Sequence, residues 1–496
     1  MRTLLISQSY GQLKKYLAGA LSGEGLKAKV FRGGAWLGTG SVVEQMFRFG
    51  RSMLLTRLLA PEAFGIMAVI MSATSAIHTI TDIGVKEALI QNPRGTEEHY
   101  MRAAWWLALG RAVAIASFVC LIAPWIAKFY GNSEMTPLLR VATLAVVFDG
   151  AFSSKAYIAM KEMKFSKWAW INHGGGIVGI LITITLSFFL RDVWALVLGV
   201  CAESAARCTL SFIICPYLPL FSWDKEAMKD LLTFSKGLFG LSFLNLIFAR
   251  TDIFVLAKLY PAAQLGLYSM AIYLAQTPVN YIMNLLGQTM LPTFSQIQND
   301  NLRVNRIMIQ VSSLLLFLGV PALVFVFFCG HSLLAIVFGQ RYSAATAALI
   351  ATCAVALVNL LNSQITVVFY AKGRPQLHRR CVLIMAIIMI VITYPFAKWF
   401  GLVGGQLACL VAVVVGYLFQ VARVRGLTDL DLSRYWKSFP IAVGVSVSVA
   451  AVCLGARLSP ALAHPVPTII VGVLGCLLAY VFSAAFVLHN NRSIAE

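Results

Sequence analysis

Charge is what this sequence has least of. Asp, Glu, Lys and Arg make up 12% of its 496 residues, and the 20 acids face 40 bases. A soluble globular chain carries about 25% charged residues, so this composition cannot furnish an ordinary water-facing surface. Other absences narrow the function. The 10 cysteines form no C-x-x-C pair and no Cys/His group at ligand spacing, which removes a disulfide framework and a structural metal. Cys201, Cys208 and Cys215 fall at heptad spacing and read as small packing residues on one helix. There is no G-x-x-x-x-G-K-[ST] and no kinase or hydrolase signature, so no ATP site and no cofactor are expected. The N-terminus shows no secretory signal, because Leu4-Leu5-Ile6 is too short an apolar run and Lys14-Lys15 follow it.

What is present is hydrophobic: 59% of the residues, with a mean hydropathy of +0.79. Apolar segments of about 20 residues, the length that crosses a bilayer, recur from end to end. The expected fold is an all-α polytopic membrane protein with about fourteen transmembrane helices. The excess of bases follows topology. Outward connections carry one basic residue each (Arg57, Lys128, Arg191, Lys258, Arg341, Lys398 and Arg457), and most of the others fall on inward segments. That is the positive-inside pattern. It places both termini in the cytoplasm and accounts for the basic balance without a nucleic-acid partner. Residues 1–33 read as a basic cytoplasmic segment held by anionic membrane lipid. All outward connections are short, which leaves no room for an external catalytic domain.

The chain is internally repeated. Arg57 to Gly65 corresponds to Lys258 to Gly266 at an offset of 201 positions, which also carries Ala88-Leu89-Ile90-Gln91 onto Thr289-Met290-Leu291-Pro292. The expected organisation is two pseudo-symmetric six-helix lobes, 34–215 and 231–423, joined by a cytoplasmic tether at 216–230. Residues 424–496 add two C-terminal helices and a short tail. Both halves start inside, so the repeat is parallel, about an axis along the membrane normal.

Against that apolar background the in-membrane charges stand out. Glu44, Arg48 and Arg51 share one face of the first span, 35–59. Each costs roughly 2.5–3.5 kcal/mol at a helix centre on the insertion scale, so the face should line a cavity. The repeat offset carries them to Asn245, Ala249 and Asp252 on the seventh span, with Arg250 alongside. Two readings follow: a salt-bridged stripe that holds helices together, or a surplus of arginine that receives phosphate or carboxylate oxygens. On the second reading Arg48, Arg51, Arg250 and Arg111 are the anion-binding candidates. Glu44, Asp82 and Asp252 are candidates for taking up a coupling proton or sodium ion. Glu203 and Arg207 read as a local i, i+4 pair. His78 and His173 are lesser relay candidates, and His173-Gly174-Gly175-Gly176 reads as a close-packing point. Amides recur at helical spacing, Gln276, Asn280 and Asn284 on the eighth span and Asn359 and Asn362 on the tenth. They suit sugar hydroxyls, as does Asn245, or else interhelical hydrogen bonds.

Leu58-Leu59-Ala60-Pro61-Glu62-Ala63-Phe64-Gly65, Asp82-Ile83-Gly84 and Ala88-Leu89-Ile90-Gln91 resemble the start of Wzx-type oligosaccharide flippases. These form the polysaccharide-transport branch of the multidrug/oligosaccharidyl-lipid/polysaccharide exporter superfamily. Leu291 to Gln298, Val337 to Tyr342 and Tyr370-Ala371-Lys372-Gly373-Arg374 continue the resemblance, which covers about residues 30–490. It implies two six-helix lobes packed as a V that rock between inward- and outward-facing states. It implies export of an undecaprenyl-diphosphate-linked oligosaccharide repeat unit across the bacterial cytoplasmic membrane, with a polysaccharide polymerase and a chain-length regulator as candidate partners. In the related lipid II flippases, arginines of the first and seventh helices face the cavity, and Arg48, Arg51 and Arg250 match by helix. A cation-coupled multidrug antiporter of the same fold is the first rival. A membrane polysaccharide polymerase or ligase is the second, disfavoured by the short outward connections.

Overall fold

The computed structural model describes residues 26–81, 84–221, 224–436, 438–458, 470 and 473–475. Regular structure among them is helical: α1 (Leu26–Leu58), α2 (Pro61–Thr81), α3 (Val85–Gln91), α4 (Glu98–Tyr130), α5 (Met135–Gly150), α6 (Ser154–Lys161), α7 (Phe165–Leu190), α8 (Val193–Ile214), α9 (Lys225–Leu259), α10 (Ala262–Gln296), α11 (Asn301–Phe338), α12 (Thr346–Ala371), α13 (Pro375–Phe400), α14 (Val403–Thr428), α15 (Leu432–Trp436) and α16 (Ser438–Leu458). Local chemistry sets the ends. Asp192 Oδ1 accepts from the Val193 amide at 2.6 Å to open α8, and Asp300 Oδ1 accepts from the Arg303 amide at 3.0 Å to open α11. Gly131, at φ 72°, closes α4 in the left-handed conformation that glycine adopts without a Cβ penalty. Pro375 starts α13, where its missing N–H costs nothing.

Eight described helical segments are long and apolar enough to cross a membrane, or nine if α5 and α6, bent by 51° at their junction, count as one. The chain is an all-α polytopic membrane protein. Four helices at expected spans, α1, α2, α10 and α16, fall short of that threshold over their described residues, and the first three carry polar side chains. α1 carries Glu44, Arg48 and Arg51, α2 carries a run of hydroxyls with His78, and α10 carries the amides. The expected last span, 467–488, lies almost wholly outside the described residues.

The helices gather into two compact units. The first holds the described residues of Met1–Leu59 and Ala73–Gly240, the second those of Ala60–Ser72 and Leu241–Glu496. In the first unit a core of Val85, Leu89, Tyr100, Met101 and Ile158 also receives Ala227 and Leu231 from the start of α9. Asp224 caps that helix through the amides of Glu226 at 2.9 Å and Ala227 at 3.1 Å. Its other oxygen lies 3.5 Å from His99 Nε2. The C-terminal end of the segment 216–230 is thus packed onto this unit. In the second unit, α11, α12 and α14 bury Leu316, Ile365, Phe369 and Val424, while α13 and α14 bury Cys381, Met389, Ala412 and Val413.

The repeat is visible at two helix junctions. α1 ends at Leu58 and α2 begins at Pro61, while α9 ends at Leu259 and α10 begins at Ala262, the same step of 201. Within the second unit the first turns of α2 and α10 cross on Gly65 and Gly266. A Cβ on Gly65 would run into the Ala262 carbonyl and the Gly266 amide, and a Cβ on Gly266 into the Pro61 carbonyl and the Gly65 amide. The contact is reciprocal at the repeat offset, and both backbones approach closer than any side chain permits.

Candidate functional site: a buried charge network and an adjoining cavity

In the first unit α1, α7 and α8 bring five titratable side chains together. Glu44 and Arg48 stand one turn apart on α1. Arg48 donates to Glu44 Oε1 from Nε at 2.8 Å and from Nη2 at 2.7 Å. The same Nη2 donates to Glu203 Oε1 on α8. Arg207, one turn beyond Glu203, donates to Glu203 Oε1 at 2.6 Å and lies 3.7 Å from Glu44 Oε1. His173 on α7 donates from Nδ1 to Glu44 Oε2 at 2.6 Å. Both carboxylates are buried, Glu44 at 8% exposure and Glu203 at 9%.

Glycines make this convergence possible. A Cβ on Gly176 would overlap the Glu44 carboxylate, one on Gly175 the Arg207 side chain, and one on Gly179 the Glu203 side chain. Gly40 of α1 gives the same clearance to the His173 ring. The close-packing point read at His173–Gly176 is therefore the floor of a charged site. Two carboxylates meet two guanidinium groups and one imidazole. Arg48 is not a spare cation, because Glu203, which reads in sequence as a local partner of Arg207 alone, supplies a second carboxylate. That pairing spans 155 positions, a separation at which helical spacing carries no information.

Arg207 also stands in the wall of a cavity of about 340 Å³ on the same unit. The cavity opens at the bent junction of α5 and α6, where Phe152 and Ser154 line it, and it is bounded by α3, α4 and α7. Its cationic side holds Lys86, Arg111 and Arg207, with His78 Nε2 at 3.4 Å from Arg111 Nη2. Its acids are Glu87 and Asp149, the latter hydrogen-bonded to Ser204. Its aromatic wall is Phe152, Tyr157 and Trp168, with ring centroids 5.2–5.9 Å apart. The Lys86 ammonium lies over the Trp168 ring, 5.4 Å from its centroid. Among the described residues, no carboxylate lies within 4 Å of it.

The second unit has a separate polar core. Asp252 on α9 is 6% exposed. Its Oδ2 accepts from the Tyr268 hydroxyl at 2.6 Å and from Gln406 Nε2 at 3.2 Å, and Gln406 Nε2 also donates to the Tyr268 hydroxyl at 2.8 Å. Gln406 Oε1 is buried with no hydrogen-bond partner among the described residues. The repeat offset singled out Asp252, whereas Tyr268 and Gln406 carry no signal in sequence that links them to it.

The remaining candidates are dispersed. Arg51 is half-buried on α1. Arg250 is half-buried on α9, and no carboxylate lies within 4 Å of it among the described residues. Asn245, Gln276, Asn280 and Asn284 are exposed on α9 and α10, and Asn359 is half-buried. Asn362, 6% exposed, donates to the Val413 carbonyl of α14 at 3.3 Å and belongs to helix packing. Asp82 lies outside the described residues.

Comparison with known proteins supplies context for this geometry. A family described as "Polysaccharide biosynthesis protein" matches residues 54–347. The lipopolysaccharide biosynthesis protein WzxC of Escherichia coli is 23% identical over 79% of this chain and 78% of its own. The succinoglycan biosynthesis transport protein ExoT of Rhizobium meliloti is 22% identical over 58% of each. Among solved structures, the lipid II flippase MurJ in an inward closed conformation superposes with a TM-score of 0.76 at 14% identity, covering 92% of this chain and 99% of that one.

Proposed function

Since this chain belongs to the polysaccharide biosynthesis protein family, we propose that it is a flippase for lipid-diphosphate-linked oligosaccharide, not an enzyme. It would carry undecaprenyl-diphosphate-linked repeat units from the inner to the outer leaflet of the bacterial cytoplasmic membrane by alternating access. The roles named for its relatives, in lipopolysaccharide synthesis, succinoglycan transport and lipid II flipping, favour a glycolipid cargo. The observation that carries the reading is the buried network of Glu44, Arg48, His173, Glu203 and Arg207. A bundle with so little charge keeps it in the membrane at a cost that packing alone does not require.

On this reading Arg48, Arg51, Arg250 and Arg111 contribute to holding the diphosphate. Arg48 does so by exchange, a phosphate oxygen taking the place of a carboxylate on its guanidinium. Exposed Asn245, Gln276, Asn280 and Asn284 meet sugar hydroxyls. Coupling to a proton or sodium gradient falls to Glu44 with His173, to Asp82, or to Asp252, where the unpartnered Gln406 oxygen is a ready ligand for a cation or an acceptor for a protonated carboxyl.

The test is reconstitution in liposomes with a fluorescent lipid-diphosphate oligosaccharide, scored by the fraction accessible to an outside quencher. Translocation that slows at least tenfold in Arg250→Ala and responds to an imposed proton or sodium gradient supports the assignment. Equal rates in empty and protein-containing liposomes would overturn it. Gradient-driven efflux of cationic dyes with no movement of glycolipid would move the chain to the multidrug reading.

A further inference from the structure

We propose that the cavity beside α5 and α6 is a subsite for a negatively charged sugar, a hexuronate residue of the cargo. The inference rests on the flippase reading for its biological meaning, but the recognition chemistry is local. At about 340 Å³ the cavity sits at the lower end of small-molecule sites, which span about 300–1,000 Å³. It has room for a sugar residue rather than a whole repeat unit.

Three features specify the occupant. The aromatic wall of Phe152, Tyr157 and Trp168 offers apolar ring faces against which the C–H face of a pyranose can lie. Lys86 faces this wall without a carboxylate within 4 Å among the described residues, held only by its contact with Trp168 at 5.4 Å. A half-buried ammonium so placed is a receptor for an anion next to a ring. Finally, Arg207 Nε is buried with no hydrogen-bond partner among the described residues, although its Nη2 is committed to Glu203. A buried N–H left unmatched is costly, and because Arg207 is half-buried in the cavity wall, a small shift of its side chain would bring that group to an oxygen-rich ligand there.

A free phosphate would use the cations and leave the aromatic wall idle, and a neutral hexose would use the wall and leave Lys86 unpaired. A carboxylated pyranose uses both. With the N-terminus in the cytoplasm, the bent junction lies on the inward half of the membrane, the side on which the cargo is loaded. Occupancy would also touch the charge network directly, because Arg207 is common to both.

The experiment is calorimetric titration of the full chain in nanodiscs with free D-glucuronate, D-glucose and inorganic phosphate, without any transport step. Glucuronate should bind about tenfold tighter than either of the others, the effect of one charge-assisted hydrogen bond. Lys86→Ala should erase the preference over glucose, Lys86→Arg should keep it, and Trp168→Ala should weaken both sugars. Equal affinity for glucuronate and glucose, or a preference that survives Lys86→Ala, overturns the proposal. Phosphate binding as tightly as glucuronate also overturns it. The two readings fail separately. Normal titrations with no glycolipid translocation would remove the flippase, whereas normal translocation of hexuronate-bearing glycolipid by Lys86→Ala would remove only the subsite.

Discussion

Replacing Arg48 by Leu tests whether the charge network is a joint between helices or a bare binding surface. The substitution takes two donors from Glu44, at 2.8 and 2.7 Å, and one from Glu203. It leaves both carboxylates, at 8% and 9% exposure, to His173 and Arg207. Removing one partner of a buried pair costs about 3–5 kcal/mol, mostly because the abandoned charge stays desolvated. Arg207 already lies 3.7 Å from Glu44 Oε1 and can close part of the gap. The expected loss is therefore near the lower figure, about 3 kcal/mol, roughly a hundredfold in the folding equilibrium. Adding Glu44→Gln and Glu203→Gln removes the charges that Arg48 served, and the triple variant should recover most of that loss. Equilibrium unfolding in mixed micelles, followed by tryptophan fluorescence, measures each member of the cycle. A single variant within about 1 kcal/mol of wild type, or a triple variant as unstable as the summed singles, would refute the reasoning. Transport gives a second readout: a triple variant that is stable but does not move glycolipid shows that the network serves transport, through cargo contact at Arg48 or coupling at Glu44.

Gly65→Ala and Gly266→Ala each place a Cβ against backbone that cannot rotate away. Both should lower stability by about 1–3 kcal/mol, the usual cost of overpacking, read as an earlier thermal aggregation midpoint. Gly110→Ala, on α4 with nothing within 4 Å of the new methyl, should instead raise stability by about 0.5–1 kcal/mol. Asp252→Asn keeps a polar group beside Tyr268 and Gln406 and should preserve folding, while translocation loses its dependence on the coupling gradient in liposomes. The Asp224 carboxyl is held below its ordinary range by the amide of Ala227, against the opposing effect of burial, and by the amide of Glu226, with His99 and Arg94 adding to it. Its folded value is the depressed one, so its contribution is fully present above the ordinary aspartate pKa of about 3.9 and fades as pH falls through the lower folded value. The protection factors of the first-turn amides of α9 should therefore fall on acidification, and in Asp224→Ala they should be low at every pH.

What was legible in the sequence was what repeats or recurs at short range. Fourteen or so apolar stretches are a matter of length and hydropathy, and the step of 201 that joins Leu58 to Leu259 and Pro61 to Ala262 returns as matching helix ends. The pair Glu203–Arg207, one turn apart, forms at 2.6 Å. The charge network itself was half visible: its members could be named, but not their assembly. Glu44 meets His173 from 129 positions away, and that encounter depends on glycines of α7 clearing space rather than on any motif. The amides show the complementary difficulty. Asn359 and Asn362 sit close together on α12, yet Asn362 is spent on the Val413 carbonyl while Asn359 is half-buried. Which side of a transmembrane helix meets protein, lipid or cargo is decided by neighbours that the local sequence does not name.

The crossing of Gly65 and Gly266 limits how far the two halves of the repeat can diverge. In a symmetric dimer a residue on the two-fold axis meets its own copy, and any change there is felt twice. Here the two copies are joined in one polypeptide and free to diverge, and much of the repeat has. Yet each glycine still faces the other's backbone amide, and each helix start still fills the other's missing side chain. Neither position can therefore gain a side chain without displacing the other's helix, and the two copies of the repeat remain bound to the same residue where they cross.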